Sequence, residues 1–302
     1  MHTLFWFHLL ASSVHIASFV LLLQVIPQEN ERTYQLVIPY ATYEEELGMQ
    51  FLHENVFGPI SIATLLLVNE IITALSHVSG VVGFGLYSEQ MVADGRHLEI
   101  IRRYIEYAIT AAILEVVIYV LVGGRDINLL FAIVVTNIVI QLLGYMLERS
   151  PNKQRKIYLN VAGFVLLLVP IVSFFTVGSL GDTFMPLAVY YAVLYGLFGL
   201  HSLLDIVSEE WRALIDKDIG FLILGVSTKE ILTWMVVALQ AKLILDHKVP
   251  SDSSLADILD VVSFLIWTPL LGILAMLTGL FLSSYISVRD NYETVRAQIA
   301  SV

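Results

Sequence analysis

The sequence predicts an all-α membrane protein, a bundle of apolar helices joined by short connections, and three observations carry that reading. The 302 residues are 57% hydrophobic and only 14% charged, which is more apolar surface than one water-soluble core can bury. Apolar runs of about 20 residues or more recur along the chain, the length needed to cross a hydrocarbon layer about 30 Å thick. In the middle of one run, between Phe221 and Leu239, stands Lys229. An amine near the bilayer midplane costs roughly 2.5 to 3.5 kcal/mol, so it marks a functional site with a partner, and it lies too deep to snorkel to water.

Taken in order, residues 4–26 form the first span, with neither the basic start nor the small-residue cleavage site of a signal peptide, so it is expected to be retained. Residues 27–55 are polar and acidic, with Glu44, Glu45 and Glu46 in a row. Tyr34 to Ile38 alternates enough for a short strand, which predicts a small hairpin outside the bundle. Further spans are expected at 56–87, 98–122, 128–147, 156–178, 184–207 and 219–245. An eighth apolar run at 256–287 holds Pro269, which should kink rather than end a helix whose neighbours satisfy the freed carbonyl. The chain thus divides into a seven-helix bundle over 1–246 and, over 247–302, an extra apolar helix with a short tail.

The net charge of -11 offers no basic face for phosphate, which excludes nucleic acid as a partner. The absence of cysteine removes disulfides, thiolate metal sites and cysteine nucleophiles. No phosphate-binding loop, serine-hydrolase elbow or zinc-binding HExxH motif occurs. Orientation follows from the basic residues. Placing the N-terminus, the even connections and the tail in the cytoplasm puts Arg96, Arg102, Arg103, Arg149, Lys153, Arg155, Lys156, Arg212, Lys217, Arg289 and Arg296 inside, against Arg32, Arg125, Lys242 and Lys248 outside.

Depth then becomes arithmetic. Lys229 lies about ten residues into its helix, hence about 15 Å deep, and Glu106 reaches nearly the same depth in the third span. An amine and a carboxylate at one level neutralise each other. His77 in the second span and His15 in the first fall in the same layer. The layer admits a structural ion pair with core histidines, a transporter that uses these groups at the midplane, or a Schiff base between Lys229 and an aldehyde chromophore with Glu106 as counterion. For the last, Trp234, Tyr191, Tyr195 and Phe198 could wrap a polyene, the last three at i, i+4 and i+7 on one face of the sixth span, a pattern that plain core packing also produces.

The run Arg103-Tyr-Ile-Glu106-Tyr107-Ala-Ile-Thr110-Ala, the break at Gly123-Gly-Arg-Asp126-Ile, and Phe131 through Asn137 to Gly144-Tyr-Met-Leu-Glu148 resemble the third and fourth helices of the heliorhodopsins. Leu224-Gly-Val-Ser-Thr-Lys229-Glu-Ile-Leu-Thr-Trp234 resembles their retinal-lysine helix. Thr73-Ala-Leu-Ser-His77 resembles their second-helix motif, Val14-His15 their first-helix histidine, and His201-Ser202 stands where the family has an asparagine-serine pair. The resemblance covers roughly residues 8–240. It implies a seven-helix rhodopsin bundle with a cytoplasmic N-terminus, all-trans retinal covalently held by Lys229, Glu106 as counterion, and an inner polar network of His15, Thr73 and His77. It also implies a homodimer in the bilayer, a sensory role, and a photocycle rather than enzymatic turnover.

The chain departs from the family pattern in ways that bear on chemistry. Gly225 replaces a serine one turn before the lysine, and Ala108-Ile-Thr110-Ala111 replaces a serine-rich run, so fewer hydroxyls should touch the Schiff base. Glu70, Glu115 and Glu230 stand where relatives are apolar. Glu70 shares a helical face with Thr73 and His77, which predicts a stepwise proton path over Glu70, His77 and Glu106. Glu115 lies about half a turn off the Glu106 face and is expected to meet another helix; Glu230 points about 100° from Lys229. No acid is expected along the cytoplasmic half of that path before Glu89, which favours passive, light-gated proton conduction over pumping. A proton channel as the main role and a transporter without retinal are the alternatives.

Overall fold

The computed structural model describes residues 3–25, 33–44, 49–86, 92–177 and 184–248. Helix α1 (Thr3–Val25) leads into a hairpin of β1 (Thr33–Glu44) and β2 (Met49–Ser61). There follow α2 (Ile62–Leu86), α3 (Val92–Leu121), α4 (Ile127–Arg149), α5 (Lys153–Val177), α6 (Met185–Val207), the short α7 (Glu209–Leu214) and α8 (Lys217–Lys248). Seven of these helices are long and apolar enough to span a bilayer. The eighth apolar run predicted at 256–287, and with it the kink at Pro269, lies outside the described residues.

Neighbouring helices pack in chain order from α1 to α6, and α8 closes the ring by packing on both α6 and α1. In the ring, α3 and α8 bury the largest shares of their spans, 61% and 78%, which makes them the two walls on which a buried site can be built. Helices α4 and α5 instead turn most of their apolar side chains outward, as lipid-facing helices do. The main core joins Leu114, Ile118 and Leu121 of α3 to Phe174 of α5, Leu187 and Tyr191 of α6, and Leu232 and Val236 of α8.

The hairpin is larger than the sequence predicts. Its strands have 12 and 13 residues and pair antiparallel, and β2 takes the first six residues assigned above to the second span. Gly58 and Pro59 explain the difference, since neither favours a helix interior. Between Leu36 and Val37 the register shifts, leaving Phe57 unpaired, and there the Val37 N–H donates to the Arg125 carbonyl at 2.9 Å, docking the hairpin on the start of α4.

Local chemistry sets the helix ends. The α3–α4 turn passes through Gly123 at φ 107°, a conformation open to glycine, and Asp126 caps α4 by accepting from the Asn128 N–H at 2.8 Å. Pro186 opens α6, and Pro170 sits inside α5, which continues past it. Ser208 caps α7 by accepting from the Trp211 N–H at 3.1 Å, giving a short helix in what the sequence suggests is a plain connection. A correction concerns Arg102 and Arg103. Counted above among cytoplasmic charges, both lie within α3, and Arg103 is only 2% exposed. Removing them leaves nine basic residues against four, the same sign of asymmetry.

Candidate functional site

The structure brings Lys229 of α8 and Glu106 of α3 together in the interior. The Lys229 Nζ donates to Glu106 Oε1 and, at 3.3 Å, to the Thr73 hydroxyl of α2. All three side chains are buried. The second carboxylate oxygen is equally occupied: Ser76 donates to Glu106 Oε2 at 2.6 Å and Arg102 Nη1 at 2.8 Å. One carboxylate thus answers two cations. Arg102 is itself held by Glu99 through two nitrogens, at 2.8 and 2.5 Å, so the four charges alternate in sign and compensate one another. Sequence reading missed Arg102, Glu99 and Ser76. The signal lay in the spacing, since Glu99, Arg102 and Glu106 at i, i+3 and i+7 share one helix face.

Beside this pair lies a cavity between α3, α4, α5, α6 and α8 that reaches Lys229. Tyr107, Tyr191, Tyr195, Phe198, Phe221 and Phe164 supply its aromatic walls. Tyr191 and Tyr195 stack with ring centroids 4.2 Å apart, and Phe198 meets Tyr107 edge-on at 5.6 Å. Glycines make room for these rings. A Cβ on Gly225 would stand 2.5 Å from the Tyr107 hydroxyl, and one on Gly199 would stand 2.5 Å from the Phe164 ring. Tyr107 is held in place by donating to the Phe221 carbonyl at 2.8 Å.

Several predicted site residues lie elsewhere. Trp234 is not among the cavity's lining residues; its indole donates to Ser18 at 2.8 Å and to Glu230 at 3.1 Å, between α8 and α1. His201 is also outside the lining, accepting from the Trp211 indole at 3.1 Å, with its other ring nitrogen 3.2 Å from the Lys217 carbonyl. Thr110 bonds back to the Glu106 carbonyl of its own helix at 2.9 Å. Glu115 does line the cavity and accepts from Tyr191 at 2.5 Å, while its Oε2 has no hydrogen-bond partner.

The stepwise line over Glu70, His77 and Glu106 divides. Glu70 turns to His15 at 2.7 Å and to the Thr233 hydroxyl at 3.0 Å, and Glu230 meets the same His15 nitrogen at 2.9 Å. His77 instead faces His8, a residue sequence reading did not select, with their Nδ1 atoms 3.0 Å apart. On the side of the bundle where α8 begins, Arg103 bonds Glu148 at 2.5 Å and Asp218 at 2.8 Å, tying α3 to α4 and α8.

This arrangement can hold a bound group at Lys229 and keep water from it. The heliorhodopsin family profile matches residues 4–240. Among solved structures, the chain is similar to a viral rhodopsin, OLPVRII, with a TM-score of 0.54 and 14% identity over 80% of this chain and 99% of that one, a likeness of fold. No curated protein matches the sequence. The family match spans well over half of the chain, and the protein therefore belongs to the heliorhodopsins, multi-pass membrane photoreceptors of the microbial rhodopsin class.

Proposed function

We propose that this protein absorbs light through all-trans retinal held by Lys229 as a Schiff base, with Glu106 as counterion. The observation that carries this is the buried Lys229–Glu106 pair opening on a cavity walled by aromatic rings. The donor set fits the group: one amine for the aldehyde, one carboxylate beside it, and Gly225 and Gly199 leaving room for the Tyr107 and Phe164 rings of the wall. Retinal, when bound, supplies visible absorption and isomerisation.

The chain's own residues do the rest. Glu106 places its carboxylate beside the Lys229 nitrogen as the counter-charge for a cationic Schiff base, while Ser76 and Arg102 fix the carboxylate's orientation through its other oxygen. Tyr107, Tyr191, Tyr195 and Phe198 confine the space next to Lys229 and exclude water. In this reading the N-terminus is cytoplasmic, residues 1–246 form the retinal-binding bundle, and two copies pair in the bilayer.

Protein purified after addition of all-trans retinal should show a visible band, and Lys229→Ala should be colourless. Glu106→Gln should move the band strongly to the red or discharge the Schiff base within the ordinary pH range. An unchanged spectrum in Glu106→Gln overturns the counterion assignment. A second reading, passive light-gated proton conduction, is favoured by carboxylates inside the bundle on both sides of Lys229: buried Glu70 and half-buried Glu230 towards one face, buried Glu99 towards the other.

A further inference from the structure

Three histidines form a ladder along the seam between α1 and α2. His8 and His15 lie seven residues apart on one face of α1, and the His77 ring from α2 sits between them. Ring centroids are 5.3 Å apart for His8 and His77 and 5.7 Å for His77 and His15, the latter two nearly parallel at 12°. All three are buried, at 0%, 4% and 0% exposure. Carboxylates stand at both ends: Glu99 Oε1 lies 3.4 Å from His8 Nε2, and Glu70 and Glu230 lie 2.7 and 2.9 Å from His15 Nδ1. The outer oxygens of the last two are fixed by Thr233 and by Ser18. A bland hydrophobic seam would hold none of these groups, and space is reserved for them, since a Cβ on Gly80 would stand 2.8 Å from the His8 ring.

We infer that His8, His77 and His15 are the proton route of this protein, running from Glu99 to Glu70 and Glu230 beside the Lys229–Glu106 pair rather than through it. The inference rests on the conduction reading above. It closes the gap that the sequence leaves between His77 on α2 and Glu89. In one passage a proton arriving at the Glu99 carboxylate passes to His8 Nε2, which returns Glu99 to its charged pairing with Arg102, and His8 gives its Nδ1 proton to His77 Nδ1. His77 gives its Nε2 proton to His15 Nε2, and His15 gives its Nδ1 proton to Glu70 or Glu230. Each ring gains one proton and loses one, and ring rotation restores the starting tautomers.

The step from His77 to His15 has no hydrogen bond: the rings are stacked, and His15 Nε2 is buried without a partner. This break is the gate. It lies against Lys229, because Thr73, one turn before His77 on α2, accepts from Lys229 Nζ. Displacement at Lys229 therefore reaches the turn that carries His77, and rotation of that ring joins the two halves.

The test is whole-cell recording of light-evoked current in cells expressing the full chain with added all-trans retinal, alongside the visible spectrum of each variant. Wild type should carry a current that reverses near the proton equilibrium potential. His8→Phe and His77→Phe should each lower it by about tenfold or more with the visible band in place. Gly80→Ala, which displaces the His8 ring without changing its chemistry, should lower it too. Should His77→Phe fail to form pigment, His8→Phe and Gly80→Ala, more distant from Lys229, decide the matter. Full current in both overturns the route while leaving conduction standing. A coloured, photocycling wild type without current at any voltage overturns conduction and the route with it, and leaves the photoreceptor reading intact. A colourless wild type overturns the retinal reading and, with it, a light-gated route.

Discussion

Removing Glu106 and removing Lys229 should destabilise the retinal-free protein unequally, because each leaves a different partner behind. Glu106→Gln leaves Lys229 without an anion, its remaining acceptors being the neutral glutamine amide oxygen and the Thr73 hydroxyl at 3.3 Å, whereas Arg102 keeps both of its contacts to Glu99. Breaking a buried ion pair from one side costs about 3–5 kcal/mol, and the lower end applies here because one of the two cations remains paired. Lys229→Met leaves Glu106 with Arg102 at 2.8 Å and Ser76 at 2.6 Å, so its loss should be nearer the roughly 1 kcal/mol of an ordinary hydrogen bond. At about 2–4 °C per kcal/mol for a domain of this size, the first variant should lower Tm by roughly 6–12 °C and the second by about 2–4 °C. The double variant should resemble Lys229→Met, since the stranded amine is gone. Thermal unfolding of the four proteins in one detergent, without retinal, makes the comparison. Additive losses, or equal losses for the two single variants, would refute the argument that one carboxylate serves two cations.

Other outcomes follow from the same geometry. Arg103→Met should cost about 3 kcal/mol, read as a lower thermal midpoint, because Asp218 loses its 2.8 Å partner while Glu148 retains Tyr104 at 2.8 Å and Lys217 at 3.4 Å; an unchanged midpoint would mean the buried guanidinium holds nothing together. Gly225→Ala should displace the Tyr107 hydroxyl and reduce the yield of pigment. Adding Tyr107→Phe should recover it, since the next atom of that ring lies 3.2 Å from the new methyl; no recovery would show that the glycine serves another purpose.

The spans are legible in the sequence because a bilayer imposes one length and one chemistry on every crossing helix. The pairing of Lys229 with Glu106 is legible for a related reason: depth can be counted from the helix ends. Rotation about the helix axis is harder to read. Trp234 follows Lys229 by five residues, about 140° round the helix, which turns it away from the cavity and towards Ser18 on α1. Its partner Glu230 lies one turn before it on the same side. That arithmetic was available from sequence. The placement of Arg102 and Arg103 was not, because the positive-inside rule treats every arginine near a helix end as solvated, whereas Glu99 and Glu148 draw these two into the interior. The encounter of His8 with His77 depends on how α1 and α2 are staggered, which neither helix encodes alone. The start of α2 was obscured by the apolar residues of β2, although Gly58-Pro59 marks the boundary.

The central claim is that one lysine of the six in the chain holds the chromophore. Borohydride reduction of the pigment in the dark, which turns a Schiff base into a stable amine, followed by proteolysis and peptide mass analysis, locates the attachment. The account predicts a retinyl adduct on the peptide that contains Lys229 and on no other. An adduct on Lys153, Lys156, Lys217, Lys242 or Lys248, or none from a protein that shows the visible band, would contradict it.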